Sequence, residues 1–204
     1  MRILSLFLII YTAGCASPAR SLCGHEYCGQ DQWQKAINTI VLANFPNETY
    51  EGILWKDNFK NAWVTIGKTI NITADMNYHL ATQSRRTAVV AHELAHLKKG
   101  HYYQHVGAVI IANAMIITTE VYVPGSQYYS NSLGNIGVAA FSRKHESEAD
   151  ALAIQYLRKA GYSKEDFLDL LYWMRDTLAN DNFNPLLSSH PHISERISDI
   201  KKLR

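Results

Sequence analysis

A chain of 204 residues, 47% hydrophobic and 19% charged, is long enough to bury one substantial core and short for two. Its formal net charge is +2, and no basic run exceeds Lys98-Lys99 or Lys201-Lys202, which argues against nucleic acid as a partner. Its three cysteines all fall within the first 28 residues, so they cannot staple the body of the fold.

The chain begins Met1-Arg2, followed by the apolar run Ile3 to Ile10 and then small residues, the layout of a signal peptide over residues 1–14. The run is too short to span a bilayer. Thr12-Ala13-Gly14-Cys15 resembles a bacterial lipobox, in which cleavage before Cys15 leaves that residue to carry the lipid. Threonine stands at position 12 where leucine is usual, and an ordinary secretory signal cleaved nearby is the competing reading. Ala16, rather than aspartate, after the cysteine is similar to lipoproteins sorted to the outer membrane. With Cys15 acylated, Cys23 and Cys28 form an even pair in an oxidising compartment, and a disulfide is expected within a tether spanning 15–30. The rival, a small metal site over Cys23, His25, Glu26 and Cys28, has too few spaced ligands.

From Gln30 to Phe45, Trp33, Ala36, Ile37, Ile40 and Val41 recur at helical spacing, and the segment ends before Pro46. Tyr50 to Trp55 is β-rich, and Asp57-Asn58 marks a turn. Ala62 to Ile66, Gly67-Lys68 and Thr69 to Thr73 read as a hairpin. Val106 to Ile117 is strongly apolar but too short for a membrane span; it is expected as a buried helix, with a surface touching lipid or a partner as the alternative. Tyr122 to Gly137, rich in Gly, Ser, Asn and Tyr, is expected as a flexible loop. Ser163 to Asp166 looks like a capped helix start, followed by an apolar stripe of Phe167, Leu170, Leu171, Met174 and Leu178. Asp181 to Pro191 is expected as a loop, and a last helix from about Ile193 turns Ile197, Ile200 and Leu203 inward.

The stretch that carries chemistry is Thr87 to His101, which contains His92-Glu93-Leu94-Ala95-His96 in a run of helix formers closed by Gly100. Residues four apart share one face of a helix, so His92 and His96 can present two imidazoles to one metal ion. Glu93 can reach a water on that metal without being a ligand itself. Downstream, Ser142 to Asp150 sits at the start of a second helical run that places Glu146 and Asp150 on one face with Ala149 and Ala153. Those small residues permit the close helix approach needed to bring a carboxylate to a metal held by another helix. Glu148 lies about 200° of helical rotation from Glu146, so only one of the two should face the metal.

The pattern H-E-x-x-H-x-x-x-G-H at 92–101, followed by S-R-x-x-E-x-E-A-D at 142–150, resembles the gluzincin metallopeptidases of the HtpX and CAAX-prenyl-protease type. Asn61-Ala62-Trp63, Ala160-Gly161-Tyr162 and Ser189-His190-Pro191 are similar to further elements of that family. The likeness covers about residues 31–204, and in size and layout it points to the bacterial periplasmic lipoprotein members. Metzincins are excluded, because their spacing would require glycine at Lys99 and histidine at Tyr102. The resemblance implies an α+β, mostly helical zincin-type domain with a small sheet beside the active-site helix. It implies one Zn2+ held by His92, His96 and Glu146, with Glu93 as general base. It also implies that a strand of the hairpin borders the cleft, where a free edge could hold an extended substrate.

The expectation is therefore a zinc endopeptidase acting on misfolded or unassembled polypeptides at the periplasmic face of the outer membrane, with outer-membrane assembly proteins as candidate partners. Two histidines, one carboxylate and a water leave zinc an open position, as catalysis requires. Asp150, one turn beyond Glu146, is placed to orient a ligand histidine, unless it is a helix-surface charge. His190, restricted to extended conformations by Pro191, is a candidate oxyanion donor, a candidate gate on the metal, or an ordinary loop histidine. The main rival function is a periplasmic chaperone or assembly factor with a structural or self-inhibited zinc site.

Overall fold

In the computed structural model the residues described are 29–56, 59–65, 68–101, 104, 127–178, 186 and 190–203, the side chains of 127–142 excepted. Cys15, Cys23, Cys28, the turn at 57–58, the apolar stretch 106–117 and most of 181–189 lie outside them. The elements run α1 Gln30–Asn44, β1 Glu51–Trp55, β2 Ala62–Thr65, β3 Thr69–Thr73, α2 Ala74–His79 and α3 Gln83–Lys99. They continue with α4 Gln127–Lys159, α5 Lys164–Leu178 and α6 Ile193–Lys202. The α+β expectation holds, with helices dominating one small sheet.

Helix α3 is the spine. Thr82 caps it by accepting from Arg85 N at 3.2 Å, and Gly100 ends it with φ +69°, a left-handed turn that costs other residues about 1–2 kcal/mol. Ala88, Val90, Ala91, Leu94 and Ala95 are fully buried, so both sides of its middle are packed rather than one stripe. Small residues there, with Ala149 and Ala153 on α4, let α3 and α4 lie close together.

The sheet has strand order β1-β3-β2, with β1 parallel and β2 antiparallel to β3. The expected β2–β3 hairpin is present, with Ala62 paired to Ile72 at one end and Thr65 to Thr69 at the other. Helix α1 lies on this sheet: Trp33 is fully buried and its indole donates to Ile70 O at 2.9 Å. Gly52 allows the contact, since a Cβ there would stand 2.8 Å from both Trp33 Cδ1 and Ile37 Cδ1. Two glutamines of α1 then close the outer edge of β1. Gln30 donates to Gly52 O and accepts from Leu54 N, while Gln34 donates to Tyr50 O and accepts from Gly52 N. Their amides stand in for a neighbouring strand. Among the described residues no strand pairs with the outer edge of β2.

Three expectations need correction. Helix α4 begins at Gln127, so the loop expected over 122–137 is helical from that residue, and Glu146 lies deep inside the helix rather than near its start. Ser, Asn and Tyr each cost only a few tenths of a kcal/mol in a helix, and an anchored C-terminal half can propagate through them. Leu203 follows the end of α6 and is 39% exposed, whereas Ile197 and Ile200 face the core as expected and Ile193 joins them. The short helix α2, capped by Thr73, was not marked by any periodic run. At α5 the capping signal is realised: Ser163 N donates to Asp166 Oδ2 at 2.8 Å, and Asp166 N donates back to Ser163 Oγ.

Candidate metal centre

Four side chains from three segments converge. His92 and His96 come from α3, Glu146 from α4, and His190 from the chain just before α6, and one donor atom from each lies within 4.8 Å of all the others. The Nε2 atoms of His92 and His96 stand 3.0 Å apart, as one helical turn allows. Glu146 Oε1 lies 3.1 Å from His96 Nε2, and Oε2 lies 3.4 Å from His92 Nε2. His190 Nδ1 is 3.2 Å from His92 Nε2 and 3.1 Å from Glu146 Oε1, and its Nε2 is 3.4 Å from Glu93 Oε1. The chain reaches this point in a fixed pose, because His190 N donates to the carbonyl of buried Leu186 at 2.8 Å.

Behind this cluster lies a buried ionic frame. Asp150 Oδ1 is 3.0 Å from His92 Nδ1, an ion-pair distance without the alignment of a good hydrogen bond. Arg196 Nε and Nη2 donate to the two oxygens of Asp150, and Nη1 lies 2.8 Å from Glu146 Oε2. One arginine of α6 therefore bridges both carboxylates of the α4 face and offsets half of their charge. No sequence reading singled out Arg196. The signal was there in its place three residues after Ile193 and one before Ile197, on the inward face of the last helix.

Charge states follow from these neighbours. Burial would raise the Glu146 pKa, but the charges of His190 and Arg196 win and hold it well below the ordinary carboxylate range. Burial opposes the charged form of Asp150 too, and Arg196 again prevails and lowers its pKa. Burial and then Arg196 oppose protonation of His92, yet Asp150 and Glu146 together raise its pKa to about 9. Burial, helped by His92, drives His96 down to about 3. Burial pushes the Glu93 carboxyl up, against the pull of His190 and His92. One histidine of the pair thus carries a proton that any incoming cation must displace.

A cation suits this donor set. Imidazole nitrogens and carboxylate oxygens that converge in a buried space leave facing lone pairs, which one proton satisfies only in part. Two imidazoles and a carboxylate are ligands that zinc accepts, with bonds near 2.0–2.2 Å. Glu148 is absent from the cluster and lies 3.4 Å from His101 Nε2, on the far side of His96. A cavity of about 280 Å³ touches Glu146, Asp150 and Arg196 but not His92, His96 or Glu93, so it does not open onto these donors.

Comparison with known proteins agrees with this geometry. The chain is similar to the putative beta-barrel assembly-enhancing protease of Vibrio cholerae, 23% identical over 80% of this chain and 36% of that protein. It is similar to the beta-barrel assembly-enhancing protease of Yersinia pestis at 22% identity, over 79% of this chain and 36% of that one. With the metalloprotease YcaL of Escherichia coli it shares 26% identity over 69% of this chain and 57% of the relative. The chain thus spans well under two thirds of the length of these relatives. The sequence profile described as peptidase family M48 matches residues 30–204, which takes in every side chain of the buried cluster, and the chain belongs to that family.

Proposed function

We propose that this chain is a zinc metalloendopeptidase that cuts polypeptides, with His92, His96 and Glu146 as metal ligands and Glu93 as general base. The family assignment and the metalloprotease names of the relatives support the enzyme class. The observation that carries the site assignment is the convergence of the four donors beside the buried Glu93. Bound zinc supplies a Lewis acid that polarises the scissile carbonyl and acidifies the attacking water. Glu93, its pKa raised by burial, accepts the proton of that water and returns it to the leaving amine. Arg196 keeps Glu146 ionised, and Asp150 turns Nε2 of His92 toward the cluster. Among the described residues the outer edge of β2 is the sheet edge left for an extended substrate, since Gln30 and Gln34 close β1.

A second reading rests on one residue. His190 stands within hydrogen-bond distance of both His92 and Glu146, where it could close the metal's open position and hold the enzyme shut. That arrangement would suit a peptidase released only by a partner, or a chaperone whose zinc site is self-inhibited. The relatives named for β-barrel assembly support misfolded or unassembled outer-membrane proteins as substrates. A lipid on Cys15 would hold the chain at the periplasmic face of the outer membrane.

The test is zinc content and casein hydrolysis by the purified protein, with and without chelator. Glu93→Gln should keep one zinc and lose hydrolysis by about 10²-fold or more, as expected for a removed proton-transfer group. His92→Ala, His96→Ala and Glu146→Gln should lose the metal. A Glu148→Gln variant that lost metal while Glu146→Gln kept it would overturn the ligand set.

A further inference from the structure

His101 is buried and lies just past the left-handed Gly100 that ends α3. Its Nδ1 stands 3.0 Å from His96 Nδ1, on the side of that ring turned away from the cluster. Its Nε2 lies 3.4 Å from Glu148 Oε2. Its ring stacks on His145, with centroids 4.1 Å apart and planes 9° from parallel. His145 Nε2 is in turn 3.1 Å from Gln104 Oε1. Rings so nearly parallel do not aim their nitrogens at one point, so this group is poorly built for a second ion. Its chemistry points back to His96.

We propose that His101 is a positioning residue for the metal centre, linking His96 to Glu148 in a relay of two hydrogen bonds. This rests on the zinc reading above. If Nε2 of His96 gives its lone pair to a metal, its proton must sit on Nδ1. That proton is donated to His101 Nδ1, which can accept only if the His101 proton sits on Nε2. From there it is donated to Glu148, the only assignment of protons that satisfies all three groups at once. Both ligand imidazoles then have a carboxylate behind them, Asp150 directly for His92 and Glu148 through His101 for His96. Glu146, Glu148 and Asp150 thus serve one site from one helix, although Glu148 faces away from the metal. The stack on His145 holds the His101 ring in the plane the relay needs.

The experiment loads full-length protein with zinc and follows its release to a chromogenic chelator, with the absorption spectrum of the cobalt-substituted form as a second readout. Circular dichroism melts of the metal-free proteins check folding. His101→Leu, close in volume but unable to accept a proton, should release zinc about 10–100-fold faster and shift the cobalt bands. His101→Gln, whose Oε1 can accept from His96, should stay within about threefold of wild type. Glu148→Ala, at a side chain 37% exposed, should fall between them and carries the test should His101→Leu not fold. Release at the wild-type rate from folded His101→Leu, or from Glu148→Ala, would overturn the relay. So would His101→Gln behaving like His101→Leu, which would mark a packing role. A wild-type protein that took up no zinc would instead overturn the metal reading itself.

Discussion

Arg196 grips Asp150 through two parallel hydrogen bonds of 2.8 and 2.7 Å, both partners at most 5% exposed, and its remaining nitrogen reaches Glu146 at 2.8 Å. A buried pair of this kind is weak evidence for stability, but breaking one partner is costly. Arg196→Leu would leave Glu146 and Asp150 in the core without the guanidinium that bridges them, and with only the buried histidines beside them. The metal-free variant should lose about 3–5 kcal/mol, which lowers its melting temperature by roughly 6–20 °C. Zinc should restore much of the loss, because a cation beside Glu146 replaces part of the missing charge. Melts with and without zinc check this; an unchanged metal-free melting temperature would show that Arg196 does not hold the frame.

His190 lies within reach of His92, Glu146 and Glu93, and its two candidate roles diverge in measurement. As an oxyanion donor, its replacement by alanine should lower kcat by about 10²-fold or more with zinc affinity little changed. As a gate, His190→Ala should raise basal peptidase activity. Activity within about twofold of wild type, with unaltered zinc, would leave it an ordinary loop histidine.

Away from the site, Glu48 accepts from Lys98 Nζ at 2.6 Å and from the Tyr50 hydroxyl at 2.9 Å. The Lys98 and Tyr50 hydrogen bonds lower its pKa from 4.5 to about 2. A depressed carboxylate pKa adds stability that is complete above the unfolded value of 4.5 and is lost as pH falls through the folded value of about 2. The pair is partly solvated, so the contribution should be under about 1 kcal/mol. Urea titrations of wild type and Glu48→Gln should therefore differ slightly at pH 7 and converge only as pH falls to about 2. A difference that widened on acidification would contradict the sign.

At the other end of the chain, Cys15 should take up labelled fatty acid in a bacterial host, and Cys15→Ser should abolish the label. A single acyl chain anchors only marginally, whereas the several chains of a bacterial lipoprotein hold stably. A mature N-terminus downstream of Cys15 without lipid would exclude the anchor.

What the sequence determined by itself is local and periodic. His92 and His96 share a face because four residues are close to one helical turn, and the same spacing links Glu146 to Asp150 and turns Glu148 away. The β2–β3 hairpin, the Ser163–Asp166 cap and the Gly100 stop were legible for the same reason: each depends on residues a few positions apart. Only the tertiary structure decided which distant segments meet. The closure of β1 by Gln30 and Gln34, the grip of Arg196 on Asp150, 46 residues away, and the contact of Glu148 with His101, 47 residues away, have no signature in spacing. An arginine on an apolar helix face reads as an exception until the two carboxylates it bridges are seen across the core. A buried charge is permitted only where its partner is, and chain packing rather than helical period sets where that partner lies.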